Sequence, residues 1–137
     1  MTQTVRRQIA RPAAQPAVAQ PPLVSFLRLA ALSCRAAPRG SLRACDLLER
    51  SAGPEDFAMA LARVLPEAMQ RRPVLWQPGE ADRSFDETWL LALAEAQARG
   101  DAASLRFLTT RRLRPEAAPF VLLLLGGLAR GLETARE

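Results

Sequence analysis

The chain has 137 residues, 19 of them basic and 14 acidic, for a formal net charge of +5. Every basic residue is Arg, and Lys, His, Tyr and Asn are absent. The missing His and Lys remove the usual general base, Ser–His and Cys–His nucleophiles, Schiff-base chemistry and the P-loop, and two isolated cysteines do not build a structural zinc site.

The charge is uneven along the chain. Three of the 19 arginines (Arg6, Arg7 and Arg11) lie in the first 22 residues, which hold no acid, so the other 16 face 14 acids, a net of +2. That body is only mildly basic, whereas nucleic-acid domains usually carry a stronger clustered excess. Residues 1–22 are rich in Pro, Ala and Gln and cannot bury a core, so a disordered basic tail is expected there. A helical domain is expected over 23–137. The Arg6–Arg7 pair and the later "ALSC" resemble parts of export signals. Arg28, however, interrupts the apolar stretch "LVSFLRLAAL", and a cytoplasmic protein is expected. The longest apolar run, from Ala117 to Ala129, has 13 residues and is too short to span a membrane unaided.

Helical periodicity recurs along the body and strand alternation is nearly absent. The first predicted helix, about Leu23–Ala36, aligns Leu23, Phe26, Leu27, Ala30 and Cys34. After a "PRGS" turn a second is expected over about Leu42–Arg50, with Ser41 as its cap. Cys34 and Cys45 flank that turn symmetrically; buried thiols in a reducing compartment are the expectation. Gly53 and Pro54 mark the next boundary, and a third helix places Phe57, Leu61, Val64 and Ala68 on one face, with Pro66 expected to kink or split it. Residues Arg71–Arg83 form the one long irregular segment. Ser84 and Glu87 match a capping box opening a fourth helix, about Phe85–Ala98, with Phe85, Trp89, Leu93 and Ala96 in line. Gly100 ends it, Asp101 caps a fifth that stops before Pro115, and a last helix begins between Pro115 and Phe120 and continues to about Thr134. The fold class is therefore all-α, a compact bundle of five or six short helices behind the tail.

The stretch "ARGDAASLRFLTTRRLR" suggests a DNA-reading helix-turn-helix, but Arg99 and Asp101 flank Gly100 where apolar residues should pack the two helices. A plainer account is that acids collect at helix starts (Glu55, Asp56, Asp86, Glu87, Asp101, Glu116) and arginines at helix ends, as the macrodipole favours. Phosphate attraction needs no motif, so Arg111, Arg112 and Arg114 are candidate phosphate contacts. In the irregular segment, Leu75 and Trp76 sit between prolines, where the Trp either plugs the bundle or anchors a partner. In the last helix, Leu122 to Leu125 encircle the axis. Such a helix is either central or shared with a second chain, and Leu122, Leu125 and Ala129 are the expected shared side. Gly127 and Gly131 would admit a neighbour closely. The expected function is a non-catalytic protein–protein interaction module, an adaptor, regulator or small subunit, with no cofactor. Its partner would be another protein chain, its own copy or a heterologous one. The alternative is a nucleic-acid-associated protein holding the phosphate backbone through its arginines.

Overall fold

The structure, a computed structural model, describes residues 20–34 and 52–136. Nearly all of the expected tail, the expected second helix and Cys45 lie outside the described residues. Within them the chain is an all-helical bundle: α1 Pro22–Cys34, α2 Pro54–Met69, α3 Phe85–Arg99, α4 Ala102–Thr110 and α5 Ala118–Arg136. α2 packs most extensively against α5 and then α1; α3 joins α5, and α4 lies chiefly against α3.

Local chemistry sets most boundaries. Pro54 opens α2 at a position whose N–H would be unpartnered in any case, and Asp56 accepts from the Gly53 N–H at 2.9 Å. The α3 capping box is present in both halves: Glu87 N–H donates to Ser84 Oγ (3.0 Å) and Ser84 N–H to Glu87 Oε1 (2.9 Å). Gly100, at φ 69°, ends α3. The Asp101 N–H reaches back to Ala96 O and the Gly100 N–H to Gln97 O, the paired closure of a left-handed C-terminus. Asp101 then caps α4 by accepting from Ser104 N–H at 3.1 Å.

One feature differs from the sequence expectation: Pro66 does not split its helix. α2 is one continuous helix, with Pro66 in its last turn, where the ring forfeits a single backbone bond. α4 stops at Thr110, before Pro115 as expected. Leu113 turns into the core, and the Arg114 N–H donates to Ala68 O at the end of α2 (3.0 Å), which draws the chain off the helix axis.

The core is built from Leu61, Val64, Leu65 and Ala68 of α2, Val121, Leu124, Leu125 and Leu128 of α5, Leu27 of α1, and Leu90 and Leu93 of α3. Gly127 makes the α2–α5 approach possible: a Cβ there would fall 2.3 Å from the Phe57 ring, and one at Gly131 would fall 3.3 Å from Pro54. The close neighbour expected at these glycines is thus the start of α2. The leucine run resolves into a buried pair, Leu124 and Leu125, a partly buried Leu122 packed on the core, and an exposed Leu123. Leu125 is fully enclosed, and Ala129 is only partly exposed, so the expected shared side of this helix is mostly turned into its own bundle. No described helix is long and apolar enough to cross a membrane.

Candidate functional site

The first turn of α3 holds two adjacent buried carboxylates that point into different networks. Glu87, 1% exposed, meets Arg28 of α1, 2% exposed. Arg28 Nε donates to Glu87 Oε2 (2.8 Å) and Nη2 to Oε1 (3.0 Å), a bidentate pair. The remaining guanidinium N–H groups donate to the carbonyls of Gln77 (3.4 Å), Glu80 and Asp82 (both 2.8 Å). All five donors of Arg28 therefore have acceptors, and the irregular segment is tied to α1. Glu87 also accepts from the Trp76 N–H at 2.9 Å.

Asp86 serves the other side. It accepts from Arg71 Nη2 (2.6 Å) and Nη1 (3.0 Å), from Arg112 Nη1 (2.8 Å) and from the Val74 N–H (2.7 Å). The Ser84 hydroxyl donates to Val74 O, which fixes the same irregular stretch from its carbonyl side. Burial pushes both carboxyls upward. For Asp86, the hydrogen bonds from Arg71 and Val74 and the charges of Arg71 and Arg112 outweigh it, and the carboxyl stays below its ordinary range. For Glu87, the bonds from Arg28, Ser84 and Trp76 do the same. Both are therefore held ionised with their oxygens engaged, as structural acceptors with no proton to give. Among the described residues no cluster of three or more His, Cys, Asp or Glu is placed to hold a metal.

These networks occupy the inward positions of the first α3 turn, which displaces Phe85. It was expected on the stripe with Trp89, Leu93 and Ala96, yet it stands 72% exposed while the other three are buried. Phe107 of α4 is 58% exposed. Between them runs a groove of about 470 Å³, lined by Met69, Trp89 and Leu108, the two phenylalanines, and Arg71, Arg111 and Arg112. Arg112 lies over the Phe85 ring at 4.3 Å from its centroid, and Arg111 over Phe107 at 4.9 Å. The Trp89 indole N–H donates to Leu108 O (3.1 Å), which locks α3 to α4 beneath the groove.

The structure places the sequence candidates as follows. Arg111 and Arg112 both line the groove, whereas Arg114 does not; it pairs with Glu116 at 3.1 Å. Arg112 is committed to Asp86, and Arg111 forms no ion pair with an acid among the described residues. Leu75 packs partly against the core, while Trp76 is 43% exposed and is no plug. Leu122, Leu125 and Ala129 belong to α5, outside the groove. Phe85, Trp89 and Phe107 escaped a functional reading. Phe85 and Trp89 have core spacing, and Phe107 is marked only by lying between Arg106 and Arg111 off the apolar stripe of its helix. No protein family, curated protein or solved structure matches the chain.

Proposed function

We propose that this chain is a non-catalytic protein–protein interaction module, an adaptor, regulator or small subunit of an assembly, and that the α3–α4 groove is its docking face; a cytoplasmic setting belongs to the same reading. The observation that carries it is the exposure of Phe85 and Phe107 on the two sides of one groove with an apolar floor. Exposed apolar surface rimmed by polar groups marks interaction sites, and aromatic and Arg side chains are the groups enriched at their centres. Both rings are held by arginines and by the bond that joins α3 to α4, so little ordering is required on binding.

Site-directed crosslinking tests this. p-Benzoylphenylalanine placed at position 107 of the full chain, in its host cells, should give a discrete protein adduct that survives nuclease treatment. The same group at position 123, on the exposed side of α5, should not give that adduct. No adduct from position 107, the same adduct from both positions, or a nuclease-sensitive adduct would overturn the reading.

A further inference from the structure

We infer that the groove takes a short segment of a heterologous protein in which an apolar anchor is flanked by acidic residues; this rests on the docking reading above. Three guanidiniums converge on the groove, from Arg71, Arg111 and Arg112, against one carboxylate, Asp86. Among the described residues the local excess is two positive charges, and Arg111 has no acid of its own there. The floor between the phenylalanines is apolar, so the anchor must be apolar, while the cationic rim calls for carboxylates beside it.

The same geometry argues against other occupants. In a two-fold pair of this chain, groove against groove, like charges would face each other across the contact. Single-stranded nucleic acid binds by stacking bases on open aromatic faces, and here Arg112 and Arg111 already lie on faces of Phe85 and Phe107.

The test uses the full chain and three acetylated, amidated pentapeptides: Glu-Glu-Phe-Glu-Glu, Gln-Gln-Phe-Gln-Gln and Glu-Glu-Ala-Glu-Glu. Binding is read from the NMR shifts of the Trp89 indole N–H and the Arg111 Nε–H. The first peptide should give saturable shifts at both groups, and each of the other two should bind about five-fold more weakly or worse, the scale of exposed ion pairs and one small apolar anchor. Arg111→Gln should weaken the Glu-Glu-Phe-Glu-Glu peptide and leave the Gln peptide unchanged. The inference is overturned if the first peptide fails to saturate by roughly 5 mM, if the Gln peptide binds equally well, or if an oligothymidylate binds more tightly. It is also overturned if the free chain self-associates through these residues. A crosslink from position 107 together with a silent peptide would leave the docking reading standing and remove this inference alone; loss of the crosslink removes both.

Discussion

Between α2 and α5 the chain closes by leaving side chains out; at the start of α3 it closes by burying charges. At Gly127 the absent Cβ makes room for the Phe57 ring, and the contact around it is aliphatic. At Asp86 and Glu87, three arginines, two carboxylates and the backbone of residues 74–82 are matched donor to acceptor. The first kind of contact is non-directional, and its cost on damage scales with lost area or added volume. The second is directional and unforgiving, because deleting one member strands the others in a poorly solvated place. It also gives what apolar packing alone does not: a fixed path for a segment with no helix or strand of its own.

The largest expected effect falls on the apolar side. Leu125→Arg would set an unpaired charge in the aliphatic core, where Leu125 is fully buried, and should cost more than about 4 kcal/mol, enough to unfold a marginal domain. Far-UV circular dichroism with urea titration measures it. A variant that stays folded and helical would mean this side of α5 is surface, as the sequence expects. Next comes the ionic side: Glu87→Ala should cost about 3–5 kcal/mol, since Arg28 keeps its charge and loses its counter-charge. A loss under about 1 kcal/mol would show that the pair behaves like a surface salt bridge.

Gly127→Ala sharpens the comparison. Displacing the Phe57 ring should cost about 1–3 kcal/mol, partly offset by the roughly 0.5–1 kcal/mol that Ala gains over Gly within a helix. Phe57→Leu in the same chain should recover most of the loss; an additive double variant would remove the ring from the explanation.

Acid gives the smallest effect near neutrality. Asp86 and Glu87 have folded-state values below their unfolded values, so their stabilisation is fully present above the unfolded values of about 4. It is lost as the pH falls through the folded ones. Denaturation midpoints should be flat with respect to these two groups from neutral pH to about 5 and fall below that. A Glu87→Gln chain whose acid limb is as steep as the parent's would show that Glu87 does not contribute to it.

How far the sequence reaches follows the same division. Short-range rules are legible in it: Ser84 with Glu87 as a capping box, Pro54 as a helix opener, Gly100 and Asp101 as a stop and a cap, and the Leu61–Val64–Ala68 stripe. Arg28 is not. It reads as an interruption in an apolar helix, and nothing local couples it to a carboxylate 59 positions away. Asp86 and Glu87 read as first-turn charges favoured by the helix dipole, which describes their place but misses their burial. Phe85 follows from that omission, because the inward positions it was expected to share are taken by the carboxylates. In α5 the leucines surround the axis, so no pattern tells that Leu123 is the exposed one. Two of the groove's three arginines, Arg111 and Arg112, are legible as part of a cluster, while Arg71 joins them only through the fold; the aromatic residues that make it a groove come from α3 and α4 together and appear only once those helices are packed.

The claim that buried carboxylates set the path of the irregular segment is tested most directly by amide exchange at residues 74–76. The Val74 and Trp76 N–H groups donate to Asp86 and Glu87, while the Leu75 N–H between them donates to no group among the described residues. Val74 and Trp76 should therefore exchange about 100-fold or more slowly than free chain, as an opening cost of about 3 kcal/mol implies, and Leu75 should exchange quickly. Equal, fast exchange at all three amides would contradict the account.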